Sequence, residues 1–103
     1  MAASTRADLE GVTALVRATL VPFGRKPSER DIEALTGQLL DRGEELASQV
    51  AHLRRAAGAL QDWELLRTGG PERGPMGAWT YARALARTVG KMIEVLTEDD
   101  DRR

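Results

Sequence analysis

His52 is the single histidine of this 103-residue sequence, and it is therefore the first candidate for a metal ligand or a general acid or base. The nearest upstream carboxylates, Glu44 and Glu45, precede it by eight and seven residues, respectively. On a helix that separation is roughly two turns, or about 10 Å, too far for one metal ion to be shared. The chain has no cysteine, which removes thiolate ligands and nucleophiles. The sequence therefore predicts no metal and no cofactor.

Nucleophilic catalysis finds little support either. It requires a serine, threonine or lysine activated by a base that a third group orients, and no G-x-S-x-G motif is present. Ser28 is better explained as a helix cap, because Asp31 follows it at the capping-box spacing. The sequence favours a protein that is not an enzyme but does not decide the question.

Aromatic side chains mark a candidate pocket beside a glycine- and proline-rich segment, residues 68–75. Trp63 lies before this segment and Trp79 after it, so the two indoles are expected to pack together as a cap on the helices. Apolar pockets with a few polar groups are common ligand sites. Arg67 and Tyr81 would supply the polar groups here, which makes Trp63, Arg67, Trp79 and Tyr81 the candidate ligand or partner pocket.

A basic stripe, Arg83, Arg87 and Lys91, recurs at four-residue spacing near the end of the chain. Such a stripe can follow a phosphate backbone, but a solvated helix face is the expected role. The 15 basic and 16 acidic residues leave a formal net charge of -1, so no global field draws the protein to nucleic acid. A nucleic-acid partner is disfavoured, and a DNA-associated regulator is kept as an alternative.

The elements that must position these residues are all helical. Capping-box spacings at Thr5 and Ser28 predict helix starts, and Pro22 ends the first helix. The apolar stretches are far shorter than the roughly 20 residues that span a bilayer, so we expect no membrane segment and a cytoplasmic protein. We predict one all-α domain, residues 1–103, a three-helix antiparallel arrangement. Its parts are helices at about 5–21, 28–66 and 77–97, a loop at 67–76 and a charged tail at 98–103.

The predicted central helix carries an apolar residue every seven positions. A continuous helix from 28 to 66 would span nearly 60 Å, more than the two shorter helices can cover. The uncovered stripe predicts a homodimer, with Gly43 as the position of a kink. A full break at Gly43 would instead give four shorter helices that close as a monomer. The predicted interface consists of Ile32, Leu39, Leu46, Leu53 and Leu60.

Three segments carry a family resemblance: 31–36 (DIEALT), 40–44 (LDRGE) and 82–89 (ARALARTV). Together they resemble a family of small streptomycete helical proteins of unknown function, whose members are often labelled natural product biosynthesis proteins. The resemblance covers about residues 5–96. It departs where the family has L-R-G-H, since this chain has an additional Asp41 and has Glu44 in place of the histidine. It implies a bacterial cytoplasmic accessory protein and carries no catalytic residue.

These observations favour a non-catalytic helical interaction protein, homodimeric, which binds another protein in a setting of bacterial specialised metabolism. The first alternative is a small helical ligand-binding protein or enzyme with its pocket near Trp63, Trp79 and Tyr81. The DNA-associated regulator is the second alternative.

Overall fold

A computed structural model describes residues 2–102 of the chain, with side chains described from residue 9 onward. Within that range every regular element is helical, which confirms the all-α prediction. Short 3₁₀ turns at Phe23–Arg25 and Arg54–Ala56 stand between the longer elements. The helices are α1 (Ala2–Thr19), α2 (Glu29–Val50), α3 (Ala57–Gly69) and α4 (Gly77–Asp101).

The start of α2 is set by the predicted cap. The Ser28 hydroxyl accepts a hydrogen bond from the Asp31 backbone N–H at 3.2 Å, and Glu29 and Asp31 place negative charge in the first turn. Helix α1 already includes Ala2, three residues before the predicted start at Thr5. The Thr5 side chain, proposed as its cap, lies outside the described side chains.

The predicted continuous helix 28–66 is wrong, because the chain leaves α-helical geometry after Val50. Leu53 adopts extended backbone angles, and a 3₁₀ turn leads from it into α3. The interruption is not at Gly43, which lies inside α2. It lets α3 fold back, buries Val50 and Ala56 completely, and limits the molecule to 45 Å in its longest dimension.

Helix α4 packs against each of the other three helices and contributes more buried residues to the core than α2 or α3 does. Eight of its residues are buried, among them Leu85, Val89 and Met92. Four shorter helices therefore close on themselves, as in the alternative that the sequence left open, but with the break displaced toward residue 53.

The residues of the heptad stripe lie in this core or pack against it. Ile32, Leu39 and Leu46 are buried within the chain, and Leu53 and Leu60 are partly buried against the same cluster. In this fold α1, α3 and α4 cover the stripe that was expected to need a second chain, so Ile32, Leu39 and Leu46 are not exposed for an interface. The homodimer itself stays a prediction.

The end of α4 also differs from the prediction. Residues 98–103 were expected to be a frayed tail, but α4 continues to Asp101. Glu98 forms an ion pair with Arg55 at 2.8 Å, which ties this last turn to the 3₁₀ turn before α3. No helix in residues 2–102 is both long and apolar enough to cross a bilayer.

Candidate binding groove

A groove of about 520 Å³ runs between the first half of α2, the loop at 70–76 and the start of α4. It is open to solvent on one side and mostly apolar. Its walls come from four parts of the chain, since Lys26 in the segment before α2 also reaches it. The lining residues are Lys26, Glu29, Ile32, Glu33, Thr36, Gly37, Leu40, Pro71, Gly74, Pro75, Ala78 and Tyr81.

One face of α2 forms the floor. Residues from Glu29 to Leu40 that recur at spacings of three and four share this face, which extends about 16 Å along the helix axis. Gly37 lies in the middle of it, and no atom stands within 4 Å of the position that a Cβ would take. The missing side chain leaves the centre of the floor open.

The loop at 70–76 forms the opposite wall and has a defined shape. Gly70 and Gly74 have φ angles of 68° and 113°, which other residues rarely adopt. At Gly77 a Cβ would overlap the carbonyl oxygen of Glu72, so the loop closes tightly onto the start of α4. The loop presents its two prolines, Pro71 and Pro75, to the groove as part of this wall.

Tyr81 closes one part of the groove with its ring. Its hydroxyl donates to the carbonyl oxygen of Leu66 at 2.8 Å, near the end of α3. Burial raises the pKa of Tyr81 above its ordinary value of 10, so the phenol stays neutral at physiological pH. Because the hydroxyl is committed to Leu66, Tyr81 offers a ligand its apolar surface.

Apart from Tyr81, the polar side chains that line the groove have no ion pair or side-chain hydrogen bond in the described part of the chain. Lys26, Glu29 and Glu33 are exposed, and none forms an ion pair among the described residues. The Thr36 hydroxyl makes no hydrogen bond there, whereas that of Thr88 bonds the carbonyl of Ala84. An apolar concave surface with a small number of free polar groups is the usual form of a small-molecule site.

Trp63 and Arg67, predicted for the pocket, lie elsewhere and hold α3 against α2. The Trp63 ring packs onto Gly43, and its N–H donates to Glu44 at 3.1 Å. Glu44 also pairs with Arg67 at 3.2 Å, and Arg67 pairs with Glu64 at 2.6 Å. The hydrogen bond from Arg67 lowers the pKa of Glu64, and the same contact raises the pKa of Arg67.

Trp79 is buried completely and belongs to a different cluster, with Ile32 and Ala82. Its N–H donates to the carbonyl oxygen of Phe23 at 3.0 Å. The prediction that Trp63 and Trp79 pack together is therefore wrong, because each indole has its own partner across a helix contact. Of the four predicted pocket residues, Tyr81 alone lines the groove.

The basic stripe is not a continuous surface. The Arg83 guanidinium turns inward and donates to the carbonyl oxygens of Thr19, at 3.3 Å, and of Val21. It also lies 5.6 Å from the Phe23 ring centroid and 5.3 Å from that of Trp79. Lys91 faces Asp62 at 3.9 Å, which leaves Arg87 as the exposed member of the three without such a contact in the described part of the chain.

His52 lies exposed on the short segment between α2 and α3. Among the side chains from residue 9 to 102, no three histidine, aspartate or glutamate residues are grouped closely enough to hold a metal ion. The candidate site is therefore the groove and not a cluster of ionisable groups.

Most of the groove was missed from the sequence. Gly37 was not among the predicted site residues, and Leu40 lies beside the heptad stripe without belonging to it. The sequence did contain one signal for the groove. Leu40 is an apolar residue outside the heptad stripe, and it lies one helical turn after Gly37. The contribution of Pro71 and Pro75 had no such signal, because it depends on how the loop turns.

Comparisons with known proteins found no match to this chain. No protein-family model matches the chain, and neither a curated protein nor a solved structure matches it.

Proposed function

We propose that this protein is a non-catalytic binding protein that holds a small, largely apolar molecule in the groove. The observation that carries the proposal is the groove itself, about 520 Å³ and mostly apolar. Ligand pockets for drug-sized molecules measure roughly 300–1,000 Å³ and have few polar groups. The volume and the lining both fit that class.

The polar groups in the groove support binding better than catalysis. General acid–base catalysis needs a group whose pKa is tuned near the working pH and that a neighbour orients. Glu29, Glu33 and Lys26 are exposed and have no partner in the described structure, and the Tyr81 hydroxyl is already bonded to Leu66. These groups can steer or hold a ligand, and no ion-pair partner in the described structure orients Glu29, Glu33 or Lys26.

The setting is part of the same proposal. The resemblance to small streptomycete proteins suggests an accessory role in bacterial specialised metabolism, and the sequence suggests a cytoplasmic location. An apolar metabolite from such a setting is the kind of molecule that the groove would accept.

Filling the groove tests the proposal. Gly37→Leu places a side chain on the open floor of the groove, where a Cβ would meet nothing within 4 Å. Gly58→Leu is the matched control, a helical glycine with equally open surroundings outside the groove. The neutral dye Nile red is the probe, and its fluorescence should rise with the native protein and with Gly58→Leu but not with Gly37→Leu. Equal responses from the two variants would contradict the proposal.

A partner protein is the second candidate, and exposed apolar side chains favour it. Phe23 and Met76 are 44% and 38% exposed, and each stands close in sequence to groove-lining residues. Leu65, on α3, is 67% exposed. Another protein, or a second copy of this chain, would bury these residues, although the stripe on which the homodimer prediction rested is already covered.

A further inference from the structure

Resting on the proposed function, we infer that the molecule held in the groove is a cation, an apolar body that carries an ammonium group beside Glu29 and Glu33. Both carboxylates line the groove, and both belong to the face of α2 that forms its floor. The apolar part of the ligand would lie farther along that face, over Gly37 and Leu40.

The spacing of the two carboxylates supports a single shared cation. Residues four apart on a helix have Cβ atoms about 6 Å apart, so both side chains reach the same point above the helix. Two like charges so placed repel each other unless a positive charge lies between them. No side chain of the described protein forms an ion pair with Glu29 or Glu33.

The other charged groups nearby do not change the net negative charge of the groove lining. Lys26 also lines the groove, so the lining carries two negative charges and one positive. Arg30 is on α2 but does not line the groove, and neither do Glu72 and Arg73, whose charges are opposite. An anionic ligand would be attracted by one lysine and repelled by two carboxylates. A cationic ligand would be attracted by the two carboxylates and repelled by the lysine.

Three probes with one aromatic body test the inference: naphthylmethylamine, naphthylmethanol and naphthoic acid. Their affinities are measured by chemical-shift titration of the ¹⁵N-labelled full chain near pH 7 and at low ionic strength, where exposed charges are least screened. The amine should bind about two- to fivefold more tightly than the alcohol, as expected for exposed ion pairs, and the acid more weakly than either.

Variants assign the preference to its residues. Glu33→Gln should reduce the preference for the amine over the alcohol, and the double variant Glu29→Gln/Glu33→Gln, which keeps only Lys26 as a charged lining residue, should abolish it. Neither variant should change the affinity of the alcohol. The single variant matters because Glu29 also stabilises the first turn of α2. Glu45→Gln, on the same helix but outside the groove, should change none of the three affinities.

The outcomes separate the two proposals. If all three probes bind at the groove with equal affinity, or if the acid binds most tightly, the cation inference is overturned and the binding function stands. If none of them shifts the groove resonances and Gly37→Leu has no effect on Nile red, the binding function fails, and the cation inference fails with it.

Discussion

Two glycines of α2 have opposite structural meanings. At Gly43 a Cβ would overlap the six-membered ring of Trp63, so glycine is required for α2 and α3 to approach each other. At Gly37 the same atom would meet nothing within 4 Å. Both glycines weaken the helix by about 1 kcal/mol relative to alanine, and only the tertiary contact distinguishes them. From the sequence, Gly43 was the expected kink, because the partner that explains it lies 20 residues away along the chain.

Alanine at these two positions should therefore shift stability in opposite directions. Gly43→Ala should destabilise the fold by about 1–3 kcal/mol, the usual result of overpacking, because the Trp63 ring must move. Gly37→Ala should stabilise it by about 0.5–1 kcal/mol through helix propensity alone. Urea unfolding followed by circular dichroism measures both. A Gly43→Ala variant as stable as the native protein, or more stable, would show that Trp63 does not rest on Gly43.

Tyr81 is the single tyrosine, so its ionisation can be followed without overlap from another phenol. Burial raises its pKa above 10, which means that the folded state favours the neutral phenol. Folding stability from this group is complete below pH 10, the pKa of the unfolded chain, and is lost as pH rises through the folded value. Absorbance near 295 nm should show a midpoint above that of free tyrosine, and Tyr81→Phe should remove the transition. A midpoint at the ordinary value would mean that the ring is exposed.

Helix boundaries were predictable where local chemistry sets them. The Ser28 cap and the exit from α1 before Pro22 agree with the sequence, because capping and proline geometry act over a few residues. The interruption after Val50 was not predictable in this way, since residues 51–57 contain neither glycine nor proline. Leu53 and Leu60 keep the seven-residue spacing across it because both still face the core. A heptad pattern reports which residues are apolar and not whether the helix between them is continuous.

Arg83 connects two elements, and its role can be tested against a neighbour on the same helix. Its guanidinium satisfies carbonyl oxygens at the end of α1, where the helix dipole favours positive charge. Hydrogen bonds to charged groups contribute about 1.5–3 kcal/mol, so Arg83→Met should lower the free energy of unfolding by about that amount. Arg87→Met is the control, since Arg87 is exposed, and should change it by less than about 0.5 kcal/mol. Equal losses in urea unfolding would contradict the capping role.

The groove exists only at the scale of the whole molecule. Its floor on α2 is separated by 30 residues or more from its loop wall and from Tyr81. Tyr81 was a predicted pocket residue because it follows the glycine-rich segment, but its partners in the groove depend on how α2 and α4 meet. Composition and periodicity define the faces of helices, whereas a groove depends on the space left between faces.

The expected oligomeric state depends on which apolar side chains the folded chain leaves exposed. Ile32, Leu39 and Leu46 are buried in the chain's own core, so the surface predicted to join two copies is not available. We therefore expect a mass of 11.3 kDa by light scattering after size exclusion, constant over a wide range of concentration. A mass of twice that value would mean that a second copy covers Phe23, Met76 or Leu65.

Two variants would then locate the contact. Leu65→Glu would dissociate a dimer formed through α3, because it would bury a charge at the interface. Gly37→Leu would disturb one that closes over the groove. A dimer sensitive to Gly37→Leu would make a second copy of the chain the occupant of the groove, and the small-molecule proposal would fail. A monomer, or a dimer sensitive only to Leu65→Glu, leaves the groove free for a ligand.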